Sequence, residues 1–178
     1  LLITGISGRI GQEVVRQLIH ENPFDQVVGI DRRPPTILGP VNQFLPGDVR
    51  NMPIGDLMVL NGIKCVLHLA DTGEGGVRSE AEVAERLLAK SALVDVQRVV
   101  IPSRDWVYAS QSQPCDERAP LRNFNRLRAR FGWSPIESKL LLEETIARAQ
   151  TNRPSLPIVI PRMCTVIGPT RDQPMDRV

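Results

Sequence analysis

The residues most suited to chemistry stand at the start of the chain, where Gly5, Gly8 and Gly11 punctuate the run Thr4-Gly5-Ile6-Ser7-Gly8-Arg9-Ile10-Gly11. An apolar run precedes them and a helical pattern follows, so the backbone must turn sharply between the two. Glycine has no Cβ and permits both the turn and the close approach of a ligand, while the N–H groups at a helix start stabilise anionic phosphate. Twenty residues beyond Gly11, at the end of a second apolar run, stands Asp31, whose carboxylate can accept hydrogen bonds from ribose hydroxyls. A glycine triplet alone is a weak signal. Strand, turn, helix and acid together predict a dinucleotide whose pyrophosphate is seated by Gly5, Gly8 and Gly11. Asp31 favours NAD, because a carboxylate repels a 2′-phosphate, although Arg32 and Arg33 directly behind it leave NADP possible.

These residues need a scaffold, and the hydrophobic pattern supplies one. Strand-length apolar runs occur at Leu1 to Thr4, Val27 to Asp31, Lys64 to Ala70, Arg98 to Pro102 and Pro157 to Met163, with a short third strand at Gln43 to Leu45. Between them, Ile10, Val14, Val15, Leu18 and Ile19 recur at helical spacing, as do Val83, Leu87, Leu88 and Ala92. Continuous apolar strands such as Val27-Val28-Gly29-Ile30 belong in a sheet covered on both faces. The predicted architecture is α/β: a Rossmann doubly wound parallel sheet in three layers, α/β/α, forming one NAD(P)-binding domain over residues 1–178. Pro34, Pro35, Gly39 and Pro40 stiffen one connection, Ala109 to Pro120 reads as a loop, and the segment from Gly168 onward is polar.

Composition narrows the classes. Lys+Arg 22 against Asp+Glu 20 gives a formal charge of +2 with the basic residues scattered, so nucleic acid is not an expected partner. Cys65, Cys115 and Cys164 lack C-x-x-C spacing and the chain has two histidines, so neither a metal site nor a disulfide framework is expected. No apolar run reaches the ~18 residues of a membrane span, and no basic leader opens the chain, which points to a cytoplasmic protein without membrane contact. The direct entry into a strand without a Met suggests a partial chain.

The sequence resembles the extended or atypical short-chain dehydrogenase/reductase superfamily, in particular the NAD-dependent epimerase/dehydratase family that acts on nucleotide sugars. The resemblance runs from Leu1 to about Pro169. It is carried by the Thr4 to Gly11 loop, Gly29-Ile30-Asp31-Arg32, Gly47-Asp48-Val49, Val66-Leu67-His68-Leu69-Ala70, Arg98-Val99-Val100-Ile101, Ser138-Lys139 with Glu143, and Arg162 to Pro169. It implies a cofactor-binding set of Gly5, Ser7, Gly8, Arg9, Ile10, Gly11, Asp31, Arg32, Asp48, Val49, Leu69, Ala70 and Lys139. Within that set, Asp48 and Val49 contact the adenine, Leu69 and Ala70 line the cofactor path, and Arg9 and Ile10 lie under the pyrophosphate. It also implies a nucleotide-sugar substrate, a homodimer or complex subunit built through the helices at Glu80 to Leu93 and Pro135 to Ala149, and a C-terminal substrate-binding portion absent from this chain.

The catalytic pattern departs from the family. Its members use Tyr-x-x-x-Lys with a Ser or Thr, the lysine lowering the tyrosine pKa and the tyrosine exchanging the substrate proton. Lys139 matches the lysine and is the candidate catalytic residue, but Pro135 stands where the tyrosine belongs, and the one tyrosine is Tyr108. Ser134-Pro135-Ile136-Glu137 instead reads as a helix start followed by an apolar stripe at Leu140, Leu141 and Ile146. Arg104 occupies the Ser/Thr position, with Ser103 one place earlier. It can serve an anionic substrate or simply face solvent. Glu80 replaces a common asparagine, and Thr165 another. Lys139 itself has two readings, a hydrogen bond to the nicotinamide ribose or an exposed helix lysine with Glu143 one turn on. His68 reads as a buried, satisfied residue, Cys65 and Cys164 as small core residues, and Trp106 and Trp133 as either cleft walls or buried bulk. Two functions follow: an enzyme of the epimerase, dehydratase or reductase type whose proton transfer uses another group, or a catalytically silent NAD(P)-binding scaffold serving as redox sensor or assembly subunit.

Overall fold

A computed structural model describes residues 1–71, 76–109, 116–123 and 135–164. Its elements are β1 (Leu2–Thr4), α1 (Arg9–His20), β2 (Val28–Asp31), β3 (Gln43–Pro46), α2 (Ile54–Leu60), β4 (Cys65–His68), α3 (Ser79–Leu93), β5 (Arg98–Val100), β6 (Ser103–Arg104), a 3-10 turn (Asp105–Val107), α4 (Pro135–Asn152), β7 (Ile158–Val159) and β8 (Arg162–Met163). Among the described residues, six strands form a parallel sheet in the order β3-β2-β1-β4-β5-β7. That is the doubly wound order, and it reverses direction between β1 and β4, where such folds open a ligand crevice beyond the strand carboxyl ends.

Successive residues of each strand face opposite sides of the sheet, and the sequence fills both sides. Leu2, Val28, Ile30, Val66 and Val99 join the core under α2, α3 and α4, with Met58, Leu87, Leu88, Leu142 and Ile146 packed on them. Ile3 and Val27 join the other core under α1, with Ile6, Val15 and Leu18. The three-layer expectation therefore holds.

Several boundaries shift for identifiable reasons. Pro157 to Met163 is not one strand: β7 pairs with β5, the chain turns at Ile160 and Pro161, and β8 pairs with β6 in a separate two-stranded sheet. Pro161 has no N–H to continue the first ladder, though its carbonyl accepts from Ser103 N at 2.9 Å to start the second. On α1 the buried face is Gly11, Gln12, Val15 and Leu18, and Ile19 is 53% exposed. Gln12 is buried because its amide is used: Nε2 donates to the carbonyls of Ile6 and Ile37, and Oε1 accepts from Ile37 N. On α3, Ser91 is buried and Ala92 exposed; on α4, Leu142 is buried beside Leu140 and Ile146. The short α2, with no strong apolar period, is an element the pattern did not announce. The helix start at Pro135 is as read, while Ser134 and Trp133 lie outside the described residues.

Candidate functional site

The glycine loop leaves β1 at Gly5, whose φ is +74°, a conformation that L side chains rarely adopt. A Cβ there would lie 2.5 Å from both Ala70 N and Leu69 C, so the loop crosses the end of β4 backbone against backbone. Gly11 is equally constrained, since a Cβ on it would sit 2.4 Å from the Gly5 carbonyl oxygen. The loop closes on itself through Gly8 N donating to Gly5 O at 3.1 Å, and Gly8 caps α1 with its backbone only, because no side chain bonds the first turn and no acid stands in it. A helix start with neither a side-chain cap nor an acid suits an anion, reinforced by the positive end of the helix dipole. This cradle fits a dinucleotide pyrophosphate.

Beside it opens a cavity of about 550 Å³ lined by Gly5, Gly8, Asp31, Arg32, Arg33, Asp48, Val49, Leu69 and Ala70. Asp31, at the end of β2, is fixed by two backbone donors: Ser7 N to Oδ2 at 3.0 Å and Arg33 N to Oδ1 at 3.2 Å. Ser7 also donates its hydroxyl to Arg33 O at 2.5 Å, tying the glycine loop to the arginine pair. A carboxylate oxygen has lone pairs beyond the one each donor takes, so Asp31 keeps acceptor capacity facing the cavity. Asp48 is gripped by the Arg50 guanidinium through Nε and Nη2 at 3.0 and 2.6 Å, which holds its carboxyl down at about 2 from an ordinary 3.8. The Asp48 side chain thus secures the turn after β3, and Arg86 on α3 reinforces it by donating to the carbonyls of Val49 and Arg50.

Leu69, Ala70 and Asp71 are shared with a second cavity of about 380 Å³, bounded also by Ile10, His68, Glu80, Ser103, Arg104, Trp106, Ser138 and Lys139. Here Lys139 Nζ donates to Glu80 Oε1 at 2.6 Å, and Ser138 Oγ donates to Glu80 Oε2 at 2.9 Å. This corrects one reading of the lysine: its side chain is 20% exposed and its partner is Glu80, not Glu143. Glu143 is instead taken by Arg162, which engages it through Nε and Nη2 and also donates to the Tyr108 hydroxyl at 3.0 Å. The forked guanidinium outcompetes an i,i+4 lysine because it satisfies both carboxylate oxygens at once. That pairing and the Tyr108 hydroxyl push the Arg162 pKa upward.

His68 is buried as expected. Its Nδ1 shares a hydrogen bond with Thr4 Oγ1 at 2.6 Å, and Ala70 N donates to the same oxygen. Burial first, and the Lys139 charge second, hold the imidazole down at about 4 from an ordinary 6.5. Above pH 6.5 folded and unfolded chains both carry a neutral ring. Between 6.5 and about 4 only the unfolded chain takes the proton, so stability falls through that window as pH drops. His68→Asn, which can keep the Thr4 hydrogen bond, should flatten this part of a plot of thermal midpoint against pH. An equally steep variant profile would remove His68 as its cause.

The predicted residues divide cleanly. Gly5, Gly8, Asp31, Arg32, Asp48, Val49, Leu69 and Ala70 meet in the larger cavity, and Leu69, Ala70, Ile10 and Lys139 in the smaller. Ser7 and Gly11 act from behind by bonding and by packing, and Arg9 is the first residue of α1. Trp106 is a cleft wall, 43% exposed, with the Arg104 guanidinium 5.6 Å from its ring centroid. Cys164 is exposed and so is not a core residue, while Cys65 is half-buried and packs against the core under α1. Asp71 is a site residue that the sequence did not single out, and Glu80 and Ser138, named there only through the resemblance, gain a place in the site as partners of each other and of Lys139. Thr165 and the turn to Pro169 lie outside the described residues. Among the described residues no group of His, Cys, Asp or Glu could hold a metal ion, and no helix is long and apolar enough to cross a membrane.

A parallel sheet in this order, with a glycine loop between its first strand and helix and an acid ending its second strand, defines a Rossmann-type dinucleotide-binding fold. The chain belongs to the NAD dependent epimerase/dehydratase family, whose sequence profile matches residues 1–178. It is similar to the UDP-glucuronic acid 4-epimerase from Bacillus cereus solved with UDP-glucuronic acid and NAD, at 25% identity and a TM-score of 0.73 over 94% of this chain and 57% of that one. The NAD-dependent NDP-hexosamine 5,6-dehydratase TunA, involved in tunicamycin biosynthesis, is 29% identical with a TM-score of 0.71 over 94% and 56%. A short-chain dehydrogenase/reductase superfamily protein from Agrobacterium tumefaciens, solved with bound NAD, is 28% identical with a TM-score of 0.69 over 90% and 48%. The chain therefore spans 48% to 57% of the length of these three. No curated protein matches its sequence.

Proposed function

We propose that the chain binds NAD across the two joined cavities and forms the cofactor half of an enzyme that converts a nucleotide sugar without the family's tyrosine. The observation that carries this reading is the continuous trench: the two cavities meet at Leu69, Ala70 and Asp71, beside the glycine loop and beyond the carboxyl ends of β1 and β4. Bound NAD supplies a hydride acceptor. Asp31 accepts from the adenosine ribose hydroxyls, the turn at Asp48 and Val49 walls the adenine, and the start of α1 takes the pyrophosphate. Lys139 has three N–H donors, of which Glu80 uses one, so the ammonium can still donate to the nicotinamide ribose.

A second reading, a scaffold that holds the dinucleotide without turnover, is favoured by Pro135 at the tyrosine position and by the engagement of Lys139 with Glu80. Losing one acid–base group removes roughly 10² to 10⁴-fold in rate, so residual turnover is compatible with the first reading. Thermal shift and calorimetry with NAD, NADH, NADP and NADPH test both. NAD at one hundred times its Kd should stabilise the chain by about 2.7 kcal/mol, NADP should bind more weakly, and Asp31→Ala should weaken NAD. If no dinucleotide stabilises the protein, the cofactor assignment fails; measured turnover by the unmodified chain would eliminate the scaffold.

A further inference from the structure

We propose that the smaller cavity selects an acidic substrate, with Arg104 receiving a carboxylate on the sugar and Ser103 donating a hydrogen bond beside it; this rests on the nucleotide-sugar reading above. Of the two cationic side chains that line the smaller cavity, Lys139 is neutralised within the protein, by Glu80 at 2.6 Å. Arg104 differs. Among the described residues its guanidinium forms no ion pair, and its contact is the face of Trp106 at 5.6 Å. Glu80 is occupied by Lys139 and Ser138.

The second observation is independent of charge. Ser103, one residue earlier on β6, is 1% exposed, lines the same cavity, and its hydroxyl has no hydrogen-bond partner among the described residues. Buried hydroxyls are ordinarily satisfied, so an unpaired one on a cavity wall points to a ligand atom. β6 is held rigid by its pairing with β8, and stacking on Trp106 restricts the Arg104 rotamers. A fixed guanidinium presents paired N–H donors that match the two oxygens of a carboxylate, whereas a neutral hydroxymethyl group offers a single oxygen without charge. The cavity, about 380 Å³, lies within the usual range for a small-molecule site.

Calorimetry on the full chain, with and without saturating NAD, would compare UDP-glucuronic acid, UDP-glucose and UDP. UDP-glucuronic acid should bind at least roughly tenfold more tightly than UDP-glucose, the increment expected of a charge-assisted pair. Arg104→Met, which keeps the stem and removes the charge, should bring the two within about twofold while leaving UDP affinity and thermal midpoint unchanged, and Arg104→Lys should fall between. Equal affinity of the unmodified chain for the two sugars, or an unaltered preference in Arg104→Met, overturns the proposal. A uniform loss for all three ligands, UDP included, also overturns it, by assigning Arg104 to a phosphate. If NAD binds but neither sugar nucleotide does, the substrate class falls and the cofactor assignment stands; if NAD fails to bind, the titration without it still reads the preference for the acid.

Discussion

Gly5→Ala is expected to cost about 2–6 kcal/mol of stability and to bring NAD affinity below detection by calorimetry. Two independent penalties meet at this residue. Its φ of +74° is strained for any residue with a Cβ, and that Cβ would stand 2.5 Å from Ala70 N and Leu69 C. Backbone strain of this kind costs about 1–3 kcal/mol, and overpacking a well-filled site adds about 1–3 kcal/mol. The atoms in the way are backbone atoms of the segment leaving β4, so no side chain can rotate aside to relieve the contact. Relief requires the loop to lift, and the loop also sets the start of α1 and the shared wall of both cavities. Gly62→Ala separates the two terms: its φ is +55° but nothing lies within 4 Å of its Cβ position, so it should show only the strain term and keep NAD binding. Urea unfolding and calorimetry of both variants make the comparison. A Gly5→Ala protein as stable as the parent, with unchanged NAD affinity, would mean that the loop does not approach β4 as closely as the structure places it.

Arg162→Met should be the other severe change, at about 3–5 kcal/mol. Its partner Glu143 has a side chain only 4% exposed, held by a guanidinium that is itself 21% exposed. Removing the cation strands a carboxylate out of reach of water, which is costlier than the pair was ever worth in the intact protein. The loss spreads, because Arg162 also stacks over the Tyr108 ring at 4.9 Å and donates to the Tyr108 hydroxyl and to Glu117 O. Tyr108 bridges to Leu121, so the segment beyond β6 should loosen as well. Adding Glu143→Leu to Arg162→Met should restore much of the stability by replacing an unpaired charge with apolar bulk. Lys64→Met is the contrast: the Lys64–Asp95 pair is exposed on both sides, and its loss should stay within about 1 kcal/mol. Denaturation midpoints would check the series, and a loss at Arg162 no larger than at Lys64 would show that its clamp contributes little.

Much of what depended on neighbours in the chain was legible in the sequence. The glycine spacing, the alternation of apolar strands with helical faces and the acid ending β2 are local patterns, and each fell where the structure has it because strand pleat and helix period are imposed within a few residues. Even Pro135 announced its own effect, a helix start where a tyrosine would have stood. Boundaries were less secure at prolines, as at Pro161, where one apparent strand divides between two sheets. The chemistry of the cleft was decided by tertiary structure. Lys139 and Glu80 are 59 residues apart, Thr4 and His68 64, and Arg162 and Tyr108 54. No periodicity spans such distances, and the nearest acid at helical spacing, Glu143, gave the wrong partner for Lys139. Ser103 and Arg104 were visible as residues, but that the hydroxyl lies buried without a partner and the guanidinium without an ion pair among the described residues depends on which side chains the folded sheet brings around them. The sequence alone determines a dinucleotide fold and its phosphate loop, because those are written in contiguous backbone. Which charges remain for a substrate is settled only when α3, α4 and the two-stranded sheet close on one another.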